Sequence, residues 1–304
     1  MKKLTKSVLC LTIAALILSA SATAMADSLL IGIPDDGTNL SRGIKLLETA
    51  GLIEVNPAVG YTPELKDVTK YIYDIEIMPT TANTLPSTLG DFAASTINGT
   101  YAVPNGLVPS KDGLLIEKQS EGGDNPYVNI IAARSADIDN ETYKTVVDAF
   151  QSQLVAEFLL VNYKETFYPA FEYDADPEGG FITEEECQKL IEYVSDKGDK
   201  TVVKVGVCGA NNDQWKAAQY VLDQNNAGIY IDLVEFDAYN LPNEALNAGD
   251  IDLNSFQHIA YLNNDAGNNG YDITPIGDTL IAPLTLYSQK FSSIDEIKEA
   301  AGLK

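Results

Sequence analysis

The chain has 304 residues, with 20 basic against 44 acidic side chains and a formal net charge of −24. That field disfavours nucleic acid and anionic membrane surfaces as partners, while the length suffices for two lobes with separate cores. A single histidine and three cysteines leave little material for metal or nucleophile chemistry. No HExxH, paired CxxC, glycine-rich phosphate loop or nucleophile elbow occurs, so no cofactor is expected.

Lys2, Lys3 and Lys6 precede an apolar run from Val8 to Leu18, and Ala24-Met25-Ala26 follows as a small-residue cleavage site. The pattern predicts a signal peptide over 1–26, cut after Ala26, and an exported protein in the periplasm or at the cell surface. Cys10 lies inside that leader without the small-residue context of a lipidated cysteine, so no lipid anchor is expected. Cys187 and Cys208 remain, either joined in an oxidising compartment or left as buried thiols.

Leu29 to Ile33 reads as a short strand ended by Pro34-Asp35-Asp36-Gly37. Thr38 or Asn39 then caps a helix through Arg42, Ile44 and Leu47, with Gly51 as its stop signal. Arg42 falls in the first turn of that helix, against its dipole, where either a ligand carboxylate or a buried acid would suit it. Tyr71 to Met78 alternates as a strand, Leu85 to Phe92 suggests a helix, and Phe92 to Ile97 reads as a buried strand. Asn98 follows it, as a turn former or a ligand amide. Leu107 to Ser120 looks like a loop-rich connection with one short strand.

Tyr127 to Ala133 is an apolar strand carrying Asn129, whose amide must find partners in the backbone or in a ligand. Thr142 to Asn162 predicts one long amphipathic helix. Tyr168 to Phe181 is acidic and linker-like, and Thr183 with Glu186 opens a polar helix by a capping box. Then come a strand (Val202–Val207), a helix (Gln214–Leu222) and a strand (Ile229–Phe236). Leu241 to Leu262 packs a helix stopped by Gly249, a short strand, and a turn holding Phe256, His258 and Tyr261. Further strands are expected at Tyr271–Ile276 and Leu280–Tyr287, and a last helix at Ser293–Ala301. Alternating strands and helices predict an α/β fold with mainly parallel sheets, where ligands bind at carboxyl ends of strands.

Two blocks resemble the NlpA/MetQ methionine-binding lipoproteins, receptors of methionine-uptake ABC transporters. The first runs from Ile31 to Phe171 through IGIPDDGTNLSRG, INGTYA and NPYVNIIAAR. The second runs from Val202 to Ile297 through VVKVGVCG, LPNEALNAGDIDLNSFQHIAYL and SSIDEI. In the family the second block comes first, so the order resembles a circular permutation, with old ends joined through about Glu172 to Thr201. The resemblance implies a two-lobe, periplasmic-binding-protein-like (type II) α/β fold, divided here as 27–123 and 124–304. Within the second lobe, 124–171 would be the family's C-terminal part, 172–201 the joining linker and 202–304 the family's N-terminal block.

Carried over by residue, Arg42 matches the ligand-carboxylate arginine, with Asn39 shaping the site in the same TNxxR pattern. Asn98 and Asn129 match the amides on the amino-acid head group. Tyr239, Phe256 and His258, with Tyr261, match the aromatic wall around the thioether. The resemblance implies capture of methionine or a related amino acid for a membrane ABC permease, by a monomer and without enzymatic activity. Two other readings are a non-transport amino-acid sensor or adhesin on the same fold, and a secreted hydrolase, whose triad would have to use His258.

Overall fold

The computed structural model describes residues 28–60, 62–118, 125–163, 166–173 and 181–304. The leader read at 1–26, Cys10 included, and part of the acidic linker lie outside the described residues.

The first lobe starts with the apolar run β1 (Leu29–Pro34) and α1 (Gly37–Thr49). Asp36, rather than Thr38 or Asn39, caps this helix by accepting from Asn39 N at 3.0 Å, which places Arg42 in its second turn. Gly43 lets the helix lie close on the sheet, because a Cβ there would meet Thr96 Oγ1 at 3.0 Å and Ile33 Cβ at 3.1 Å. The chain continues through β2 (Ile53–Val55), β3 (Val68–Tyr71), β4 (Ile75–Thr80), the short α2 (Leu85–Thr88) and β5 (Ala94–Ile97). Two further short helices, α3 (Gly99–Ala102) and α4 (Pro109–Asp112), lead to β6 (Gly113–Ile116).

The second lobe opens with β7 (Val128–Arg134), α5 (Glu141–Phe150) and α6 (Gln153–Asn162). The single helix expected over 142–162 is broken because Ser152 takes extended backbone and its side chain accepts from Val155 N, starting a second helix. After β8 (Tyr168–Pro169), the Thr183–Glu186 capping box opens α7 (Glu184–Ile191). Then come β9 (Thr201–Cys208), α8 (Gln214–Gln224), β10 (Ile229–Phe236), α9 (Pro242–Ala248), β11 (Leu253–Asn254), α10 (Ile259–Asn269) and β12 (Ile273–Ile281). The chain ends with β13 (Thr285–Tyr287) and α11 (Ile294–Ala301).

The strands form a five-stranded sheet, β4-β1-β5-β13-β6, and a six-stranded sheet, β10-β9-β11-β7-β12-β8, beside the small β2-β3 pair. Each large sheet is parallel in its first three strands and antiparallel beyond them. The expectation of mainly parallel pairing therefore holds for only one side of each. Apart from β8, the strands in antiparallel pairs beyond the first three flank the two passages of chain between lobes, β6 to β7 and β12 to β13.

The boundary drawn at residue 124 is corrected on the same ground. β13 pairs with β5 and β6 of the first sheet, and Ile297 of α11 is fully buried in that sheet's core with Ile44 and Leu47. Burying one such side chain contributes about 1.5–3 kcal/mol. In the second lobe, Phe150, Phe158 and Trp215 fill one side of the sheet, while Leu246 and Leu262 cover the other. Cys187 and Cys208 are free and buried in different clusters. Another cluster joins Tyr101 and Tyr287 from the first lobe to Tyr239, Phe256 and Tyr261 from the second. It marks the cleft.

Candidate functional site

The cleft closes over a small pocket between the lobes. Its lining includes Asn39, Arg42, Asn98, Asn129, Tyr239, Phe256, His258 and Tyr261. Every residue named from the sequence is thus brought to one place, from both ends of the chain. Gly99, Thr100, Gln257 and Ala282 complete the lining. They had been passed over because their contribution is position and backbone, which residue type does not advertise.

Arg42 is 3 % exposed and fully engaged along one edge. Its Nε donates to Glu117 Oε1 at 3.1 Å and its Nη2 to Glu117 Oε2 at 2.5 Å and to the Ala282 carbonyl at 3.1 Å. The two-bond clamp expected for a ligand carboxylate is therefore made to Glu117. Nη1 donates to Asn39 Oδ1 at 3.1 Å, and among the described residues its second hydrogen has no partner. The guanidinium also sits 4.6 Å from the Tyr127 ring centroid. Burial acts to lower the guanidinium pKa, but Glu117 outweighs it and the net direction is up.

Asn39 is the hub of the polar floor. Its amide nitrogen donates to both Asp36 oxygens, at 3.0 and 3.1 Å, and its Oδ1 accepts from Arg42 and from Asn98 Nδ2 at 3.0 Å. So Asp36 fixes Asn39, and Asn39 fixes both neighbours. Burial raises the Asp36 pKa, with the bonds from Asn39 pulling it back.

Asn98 begins α3 at the end of β5 and is 8 % exposed. Its Nδ2 is satisfied, but its Oδ1 is buried and has no partner among the described residues. A lone buried acceptor costs about 1–3 kcal/mol unless a donor arrives. Asn129, half-buried on β7, forms an isolated backbone bridge with His258 across the floor.

His258 is the N-cap of α10. Its Nδ1 accepts from Tyr261 N at 3.1 Å, which places the ring proton on Nε2, 3.5 Å from Asn39 Oδ1. Burial, then the nearby Arg42 charge, holds its pKa well below the usual histidine value, so it stays neutral. Tyr261 packs edge to face on both Tyr239 and Phe256, which are tilted against each other, with all three centroid pairs 5.9–6.0 Å apart. Burial raises the Tyr239 phenol far above its ordinary pKa. This is a neutral, apolar wall facing a polar floor. Among the described residues no group of side chains suits a metal ion, and no helix is long and apolar enough to cross a membrane.

Comparison with known proteins converges on one family. Residues 20–171 and 203–303 match the model of the NlpA lipoprotein family. A probable D-methionine-binding lipoprotein MetQ of Vibrio cholerae is 36% identical over 137 residues, covering 45% of this chain and 49% of the relative. The D-methionine-binding lipoprotein MetQ of Escherichia coli K12 is 38% identical over 135 residues, covering 44% and 48%. A nutrient-binding protein of Burkholderia cenocepacia, solved bound to methionine, is 30% identical with a TM-score of 0.44, covering 50% of this chain and 62% of that one. The chain spans about half the length of the curated relatives it matches.

These findings overturn the expectation of an unanchored protein. The family and its members are named lipoproteins, which points to an exported, lipid-anchored protein.

Proposed function

Because the chain belongs to the NlpA lipoprotein family, we propose that it captures methionine, or a close relative, and delivers it to a membrane ABC importer. It acts as a binding protein, not an enzyme, and as a monomer that meets its permease transiently. The observation that carries this reading is Asn98 Oδ1, unpartnered among the described residues and buried in a cavity whose one cation among them is Arg42. A ligand with an ammonium for Asn98 and a carboxylate for the free Nη1 hydrogen of Arg42 and Nε2–H of His258 suits this floor. Asn129 supplies a further amide to the head group. Tyr239, Phe256 and Tyr261 then surround the side chain, and aromatic rings favour a thioether by about 0.3–1.5 kcal/mol.

The chain order is read as a circular permutation of the family's, with lobes of 28–118 plus 283–304 and of 125–281. The matching of two separate blocks supports it. Calorimetric titration of the stripped protein against the amino acids tests the function. One binding site selective for methionine is expected; no heat with methionine, at any pH from 6 to 8, refutes the assignment.

A further inference from the structure

Among the described residues, Arg42 is the one charged side chain lining the cavity. Two carboxylates stand directly behind the lining. Glu117 holds the Nε/Nη2 edge of Arg42, and Asp36 holds the Asn39 amide. Glu117 is itself fastened between the two passages of chain that join the lobes. Its Oε2 accepts from Leu284 N at 3.0 Å, and its own N–H donates to the Leu284 carbonyl at 2.8 Å. A carboxylate held in this way does not swing aside for an incoming ligand.

We propose that Glu117 is a specificity-determining residue that sets the net charge of the solute: the pocket takes an amino acid as a zwitterion and rejects the same skeleton as an anion. This inference rests on the amino-acid reading above. The physical reason is charge balance. An ion moved from water into a buried site needs a counter-charge there, and the charge of Arg42 is already balanced by Glu117. A zwitterion brings its own counter-charge, an ammonium that meets Asn98 Oδ1. An anion brings none, and it faces Glu117 and Asp36 with only one compensated cation between them.

The test compares methionine with its desamino analogue, 4-(methylthio)butanoate, on the wild-type chain and on Glu117→Gln. The wild type binds methionine at least about 100-fold more tightly, and Glu117→Gln narrows that ratio by about tenfold or more, since close charge pairs couple on this scale. Glu117→Asp keeps the charge and stays near the wild-type ratio. A purely structural role for Glu117 would weaken both ligands together and leave the ratio unchanged, which overturns the inference.

A second measurement does not depend on a variant's folding. On the wild-type chain, methioninamide, a cation, binds more tightly than the desamino anion; the reverse order also overturns the proposal. Failure of the wild type to bind methionine at all removes the amino-acid reading and this inference with it. Binding of methionine with an unmoved ratio removes this inference alone.

Discussion

Ser28 and Lys304 meet on a single oxygen: Ser28 Oγ donates to Asp74 Oδ1 at 2.8 Å, and Lys304 Nζ lies 3.8 Å from the same atom. The backbone follows suit, with Leu29 N donating to the Asp74 carbonyl and Asp74 N to the Gly302 carbonyl. The SIDEI-bearing end and the IGIPDD strand, which the proposed permutation makes consecutive in the family's order, are thus neighbours here. A chain closed from Lys304 to Ser28 by a few glycines and reopened at residues 174–180 should fold and bind. Changing loop length by a factor of two costs only about 0.6 kcal/mol, so methionine affinity should stay within roughly threefold. Circular dichroism and calorimetry check it, and an unfolded or non-binding product would count against the permutation.

Arg42→Ala should abolish methionine binding and also weaken the fold. The substitution strips Glu117 of its guanidinium and Asn39 Oδ1 of a donor. Breaking such a pair costs about 3 kcal/mol, at the low end of the range because Glu117 is 20% exposed. Arg42→Lys keeps the charge but not the fork, so it recovers part of the stability and little of the binding. Urea denaturation of both variants, with titration of each, separates the two effects. An Arg42→Ala protein as stable as wild type would show that the Glu117 pair is incidental.

Asn98→Ala removes the unpartnered acceptor together with the bond to Asn39. A hydrogen bond to a charged group is worth about 1.5–3 kcal/mol, so methionine affinity should fall about 10- to 100-fold. The desamino analogue has no ammonium to lose, and its affinity should change by less than about threefold. Equal losses for the two ligands would place the ammonium elsewhere.

The residues of the cavity were more legible in the sequence than the interactions within it. His258, Phe256 and Tyr261 sit in a strand-to-helix turn whose Pro242 and Gly249 signals are local, so the turn could be read directly. Glu117 could not, because it directly follows the short strand of a loop-rich stretch, and its significance depends on Arg42 and Leu284 far along the chain. Tertiary pairing also overrode local pattern at β12. Its pairing with β7 continues across Pro275 and Gly277 through shifts in register, where the sequence suggested two strands. The place of β13 and α11 in the first lobe is likewise a fact of long-range pairing, invisible to periodicity.

His258 should also govern how stability responds to mild acid. It is the single histidine and is held neutral in the folded protein, its pKa well below the ordinary value through burial and the charge of Arg42. Unfolded, it takes up a proton near pH 6.5. Below that pH the unfolded chain binds a proton that the native chain does not, so stability falls on acidification, by up to about 1.4 kcal/mol per pH unit. The depressed carboxyls Glu186, Asp223 and Glu296 lose their contribution only below the ordinary carboxylate range, and Asp36 and Asp278, shifted upward by burial, act in the opposite sense. Within the interval from about pH 6.5 to 5, the share of the slope that belongs to His258 is the share that disappears with the imidazole. Denaturant titrations of the ligand-free protein across it should show the slope, and His258→Asn, which keeps an N-cap acceptor for Tyr261 N, should flatten it. A pH dependence identical in wild type and His258→Asn would mean that the imidazole is not held neutral by its surroundings.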